Sequence, residues 1–215
     1  MAGKEQMIYT WTARNWRELI KPTSVRIDDD SRTAVYSKFT CEPLERGFGI
    51  TMGNSLRRVM LSSLQGASIT AVKIQGVLHE FTTIPNVVED VAEIILNLKG
   101  VVIKRPNPKP VQLTLDVKGP GVVTASDIQL LDNIEILNPA HYICTLSDGG
   151  RLRMELSVRS GRGYIPADVH KDDVLGVGSI PVDALYSPIV KVNYTVTNAR
   201  VGQRTWSAVL LFRVA

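Results

Sequence analysis

Hydrophobic and polar positions change period several times along the chain, and each change predicts an element. From Val87 onward the apolar residues Val87, Val88, Val91, Ile94, Ile95 and Leu98 recur at the spacing of a helix with one buried stripe. Asn86 is placed to cap it. Glu89, Asp90 and Glu93 lie toward the positive end of its dipole, Lys99 lies at the negative end, and Gly100 stops it. The period then drops to two. Val111, Leu113, Leu115 and Val117 face one way against Gln112, Thr114 and Asp116, and Leu152, Met154, Leu156 and Val158 oppose Arg153, Glu155, Ser157 and Arg159. Pro106, Pro108, Pro110, Gly119-Pro120-Gly121 and Gly149-Gly150 punctuate these strands. Val190, Val192, Tyr194 and Val196 against Lys191, Asn193, Thr195 and Thr197 predict a half-exposed strand. Val25–Ile27 and Ala34–Cys41 read as strands around the turn Asp28-Asp29-Asp30-Ser31. The pattern is α+β and mostly antiparallel, without the alternating rhythm of a doubly wound parallel sheet.

One segment departs from these ordinary patterns. The stretch Leu44–Leu64 joins a glycine-punctuated turn to a helix predicted over 54–65, with Asn54 as its N-cap and Gly66 closing its far end. About twelve residues make a helix of roughly 18 Å. Taking 100° per residue, Leu56, Val59, Met60, Leu61 and Leu64 spread over roughly 200°, twice the ~100° stripe of a one-sided surface helix. Arg57 falls inside that arc, where its stem must pack and its head must find an acceptor. Such a helix covers its own sheet and has apolar surface left for a second body. The glycines also suggest a phosphate cradle, but no Gly-Lys-Ser/Thr follows Gly47-Phe48-Gly49 and the third glycine of a dinucleotide fingerprint is misplaced.

Composition narrows the class. With 215 residues, 44% of them hydrophobic, the chain can bury one sizeable core or two modest ones. The net charge of +4 comes from 25 basic and 21 acidic residues with no dense basic run, which favours an ordinary charged surface over a polyanion-binding one. The two cysteines, Cys41 and Cys144, suggest neither a disulfide framework nor a zinc site. The longest apolar run, Ala208–Phe212, is far short of a membrane span, and the N-terminus lacks signal-peptide architecture. A soluble protein of a reducing cytoplasm is the expectation.

Catalytic chemistry is not legible. His79, His141 and His170 lack the spacing of a helical metal site, and no nucleophile elbow, Walker loop or cysteine pair occurs. The triple aspartate at 28–30 lacks the glycine and glutamate of a calcium loop. Arg159-Ser160-Gly161-Arg162-Gly163-Tyr164 has the ingredients of an RNA-binding segment, but reads more simply as a glycine turn whose aromatic folds back onto the sheet. No catalytic, cofactor-binding or metal-ligating residue is assigned.

Several motifs, in order, resemble the N-terminal domain of the alpha subunit of bacterial DNA-directed RNA polymerase. They are Trp16–Pro22, Glu42-Pro43-Leu44-Glu45-Arg46-Gly47-Phe48-Gly49, Gly76–Phe81, Glu93–Lys99, Pro139–Cys144, Gly161–Ala167, Tyr186-Ser187-Pro188 and Ala199–Thr205, spanning about residues 16 to 205. The resemblance implies a discontinuous dimerisation domain, 1–56 with 179–215, built from an antiparallel sheet plus helices and interrupted by a mainly β insert domain at 57–178. It implies a non-catalytic subunit that homodimerises and scaffolds the beta and beta-prime subunits, with omega and sigma in the holoenzyme. The complex it implies is a nucleotidyltransferase of the bacterial cytoplasm, and the chain is expected to be nucleoid-associated through that polymerase.

By the same resemblance Arg46, Gly47 and Phe48 contact beta, and Leu56, Arg57, Val59, Met60, Leu61 and Leu64 form the dimer interface. Lys171, Asp172 and Asp173 are candidates for contact with beta-prime. After Arg204-Thr205 the chain departs from the family: Trp206–Ala215 stands where an acidic strand, a second interface helix, a linker and a DNA-binding domain are expected. Direct promoter contact is therefore not expected, and pairing without the second helix is expected to be weakened, leaving an apolar patch. The competing reading is a freestanding single-stranded nucleic-acid binder built on an antiparallel sheet, with salt-sensitive binding that needs no partner.

Overall fold

The computed structural model describes residues 22–107, 109–131, 133–169, 176, 178–201 and 204–214. In chain order the strands are β1 (Ser24–Ile27), β2 (Ser37–Leu44), β3 (Gln65–Ile74), β4 (Ile103–Lys104), β5 (Val111–Lys118), β6 (Gly121–Thr124), β7 (Ile128–Gln129) and β8 (Glu135–Ile136). They continue with β9 (Tyr142–Leu146), β10 (Arg151–Arg162), β11 (Tyr164–Ile165), β12 (Ser179–Pro181), β13 (Ala184–Leu185), β14 (Val192–Val201) and β15 (Arg204–Val214). Helix α1 (Phe48–Ser62) falls between β2 and β3, and α2 (Val91–Lys99) between β3 and β4. The architecture is α+β, with antiparallel pairing throughout the described strands. The chain divides into two compact units: one drawn from both ends, up to Leu61 and from Ile189, and one continuous from Ser62 to Pro188.

The discontinuous unit is a four-stranded sheet in the order β1-β2-β15-β14 with α1 as its helix. The apolar tail is one of its two inner strands: Leu210 pairs with Cys41 on one side and Val196 on the other, and is fully buried. The core is thin. Among the described residues only Cys41, Leu44, Val192 and Leu210 are buried hydrophobics, with Met52, Met60, Leu61 and Tyr194 partly buried against them. The alternation predicted from Val190 begins two residues later, since Val190 is exposed outside the strand and Val192 is the first inward residue.

The continuous unit is built on the ladder of β3, β10 and β5 in a sheet ordered β7-β5-β10-β3-β4-β8. Leu152, Met154, Leu156 and Val158 form one buried row of β10, and Leu113 and Leu115 oppose Leu156 and Met154 across β5, as the two-residue period predicts. On the outer side Arg151 grips Asp116 with two parallel hydrogen bonds of 3.0 and 2.7 Å. Helix α2 seals the core with Val91, Ile94, Ile95 and Leu98.

Its start corrects the sequence expectation. Asp90, rather than Asn86, is the cap: its carboxylate accepts from the Glu93 N–H at 2.7 Å. Asn86 instead has φ +59°, and Val87 bridges Leu146 while the Val88 N–H donates to Thr145 O. Glu89 is drawn away from the helix dipole, accepting from the Tyr142 hydroxyl and from the Thr145 N–H at 2.7 Å. Burial raises the Glu89 carboxyl, and those donors outweigh it, so the group titrates below its ordinary range. At the other end the His141 Nε2–H donates to Asn97 O at 2.8 Å, capping the last turn.

Gly66 does not close α1 either; it lies in β3 directly opposite Gly161 of β10. This pair clears a flat area on which Tyr186 is buried. A Cβ at Gly66 would stand 2.0 Å from the Tyr186 carbonyl oxygen, and one at Gly161 would stand 2.7 Å from its ring. Tyr164, the aromatic expected to fold back, is exposed instead, and Tyr186 takes that role, donating its N–H to Gly163 O at 2.8 Å.

Because the obstacle at Gly66 is main chain, no rotamer change relieves it. Gly66→Ala is expected to destabilise the chain by about 2–3 kcal/mol, the upper part of the overpacking range. A lowered urea midpoint at unchanged m-value is the measurement that checks this.

Candidate assembly surface

The turn before α1 follows from its residues. Strand β2 ends on buried Leu44, and the chain reverses through Glu45-Arg46-Gly47-Phe48, closed by the Phe48 N–H to Glu45 O bond of 3.1 Å. Gly47 has φ +88° with open space around it, so glycine is required there by backbone conformation rather than by crowding. The turn presents Arg46 at its exposed tip, and Phe48 is the first helical residue.

Helix α1 corrects the predicted span of 54–65. It begins six residues earlier and ends at Ser62, so Asn54 is an interior exposed residue and Leu64 lies beyond the helix. The glycines that suggested a loop instead bring the helix close to its sheet: Gly49 and Gly53 are its buried residues. A Cβ at Gly53 would stand 2.5 Å from the Tyr194 ring and 3.0 Å from Leu210.

With Gly49, Gly53 and Met60 turned inward, apolar residues remain on both flanks. Phe48 and Val59 fall within about 20° of each other on one flank, and Ile50 lies beside Arg57 on the other, at 100° per residue. Phe48 is 41%, Val59 50%, Ile50 62% and Leu56 38% exposed. Of the six expected interface residues, Leu56, Arg57, Val59 and Leu64 are exposed, while Met60 and Leu61 are half-buried against the unit's own core. Phe48 and Ile50 join the outward surface; reading the helix from Phe48 would have put Ile50 in the arc.

Lys171, Asp172 and Asp173 lie outside the described residues, as does His170. The segment leading to them is anchored. Asp183 accepts from Lys99 Nζ and from the Ala167 N–H, each at 2.9 Å. The Lys99 hydrogen bond, with the Ala167 N–H next, holds the Asp183 carboxyl below its usual range. Elsewhere, His79 Nδ1 stands 3.1 Å from the Thr82 hydroxyl, and Asp28 of the aspartate turn pairs with Lys38 at 2.9 Å. Both cysteines are buried free thiols, and burial pushes Cys144 up to about 12. Among the described residues no cluster of three potential metal ligands occurs, and no helix is long and apolar enough to cross a membrane.

Residues 72–187, which take in α2, β5 and β10, match the family model of the RNA polymerase Rpb3/RpoA insert domain, so over half of the chain is accounted for and the chain belongs to that family. Over 192 residues it is 55% identical to the DNA-directed RNA polymerase subunit alpha of Geobacter metallireducens, covering 89% of this chain and 56% of that relative. The chain thus spans about half the length of the curated relative it matches.

The Asp183 anchor carries a pH dependence of definite sign. A carboxyl whose pKa is depressed on folding adds stability above its unfolded pKa, and that contribution is lost as pH falls through the folded value. Asp183→Asn is expected to lower the urea midpoint at pH 7, with the gap to the unsubstituted chain narrowing below about pH 4. A gap constant from pH 7 to pH 3 would contradict this assignment.

Proposed function

We propose that this chain acts as the alpha subunit of a bacterial DNA-directed RNA polymerase, a non-catalytic scaffold whose contribution to transcription is geometric. Two copies pair through the exposed flanks of α1 about a twofold axis, and the pair then captures beta and beta-prime. The observation that carries this reading is the surplus apolar surface of α1 next to an arginine on a glycine-held turn. The name of the Geobacter relative supports the same reading. An isologous contact uses each apolar flank twice, and a stable pair of this kind buries on the order of 2,000 Å². The two copies are identical and their large partners are not, so one copy contacts mainly beta and the other mainly beta-prime.

Arg46 is assigned to beta, together with the backbone of Gly47 and the ring of Phe48. A guanidinium at the tip of a tight turn offers two parallel donors to a carboxylate or main-chain acceptor. Lys171, Asp172 and Asp173 are assigned to beta-prime. Nucleotidyl transfer resides in the large subunits, and the complex works in the cytoplasm on chromosomal DNA.

Co-purification of tagged chain with beta tests the assignment. Arg46→Ala is expected to weaken capture roughly tenfold, in line with loss of a charge-assisted hydrogen bond, at unchanged Tm. Gly47→Ala is expected to weaken it as well, because the left-handed turn is strained by a Cβ at a cost of about 1–2 kcal/mol. Full recovery of beta with Arg46→Ala would overturn the role of Arg46. Salt-sensitive binding of the isolated chain to oligo(dT) would favour a freestanding nucleic-acid binder instead.

A further inference from the structure

A second surface lies within the continuous unit, where β4 leaves part of β3 uncovered. The two strands pair only at Ala67↔Ile103, and among the described residues Gln65 and Gly66 pair with no strand on this side. The space beside them is a cleft of about 360 Å³, lined by Gly66, Val102, Lys104, Arg105, Leu137 and Pro188 among others. Val102 is 46% and Leu137 54% exposed at its rim, an aliphatic surface with no covering element among the described residues.

The charge in the cleft is one-sided. Among the described residues Lys104 and Arg105 are its only charged lining residues, and Lys104 is engaged by Glu135 at 3.0 Å. Arg105 differs: its Nη1 is buried and donates to no acceptor among the described residues. Desolvating a guanidinium N–H without an acceptor is costly, so the position is satisfied when an acceptor is supplied from outside.

We propose that this cleft docks an extended peptide segment of a partner protein, carrying a carboxylate side chain for Arg105 beside an aliphatic one for Val102 and Leu137. The uncovered edge at Gln65-Gly66 provides main-chain donors and acceptors for a short added strand, and the alternation of side chains along such a strand places acid and aliphatic on suitable positions. The lining favours peptide over nucleic acid. Its described residues include prolines and aliphatics but no aromatic for base stacking, and two cations among them are few for a phosphate track. The proposal is independent of the roles given to Arg46 and α1.

Fluorescence anisotropy of the full chain with a fluorescein-labelled heptapeptide of alternating valine and glutamate tests it, against the same peptide with lysine for glutamate and against oligo(dT). Saturable binding of the acidic peptide in the micromolar to millimolar range is expected, with none of the lysine peptide. Arg105→Gln should weaken it roughly tenfold, and Leu137→Asp should also weaken it, with Tm unchanged in both. Equal binding of the acidic and lysine peptides, an Arg105→Gln variant that binds as well as the unsubstituted chain, or no saturable acidic-peptide binding into the millimolar range would each overturn the proposal. Binding of oligo(dT) that is lost in Arg105→Gln would overturn it in favour of a nucleic-acid site.

Discussion

A helix can turn only one stripe of its surface toward a single sheet, and in α1 that stripe is occupied by glycines. Gly49 and Gly53 are its buried residues, and at Gly53 the helix axis approaches the sheet until Tyr194 and Leu210 fill the space where a side chain would be. The larger side chains are thereby displaced to the flanks, where Phe48, Ile50, Leu56 and Val59 stand partly in water. Exposed aliphatic and aromatic surface concentrated on one short helix is rarely left uncovered in a soluble protein. The thin core beneath it, with Cys41, Leu44, Val192 and Leu210 as its buried hydrophobics among the described residues, offers little room to take these side chains inward.

The continuous unit solves the opposite problem. Its core is closed by α2 and by long, regular ladders between β3, β10 and β5, and its polar detail is spent on holding connections in place. Tyr186 lies over the facing glycines of β3 and β10, Asp183 ties the end of α2 to the segment after β11, and Glu89 links the approach to α2 with β9. Each bond joins residues far apart in sequence. Removing one disturbs a loop's position before it disturbs the core.

What was legible in the sequence was whatever repeated locally. The strands at 111–118 and 151–162 alternate cleanly because one face is buried and the other is wet, and the inward face of α2 follows its helical period. Strand β3 was not legible because residues 68–72 are buried on both faces, including Ser68 and Thr70, so no alternation marks them. Both helix starts were misplaced for a related reason. Apolar spacing continued upstream of α2 into residues that pair with a strand, while the glycines of α1 signalled a loop but served close packing. Arg46 at a turn and the excess apolar arc could be read from the chain; the cleft at Arg105 could not, since it depends on where β4 stops pairing with β3.

The claim that the flanks of α1 are a self-association surface is tested most directly by light scattering on the purified chain over a dilution series, beside Val59→Asp. A mass near twice 23.7 kDa is expected for the unsubstituted chain at the higher concentrations, and a monomer for Val59→Asp at the same Tm. A monomer at every concentration, or the same mass for both chains, would contradict it.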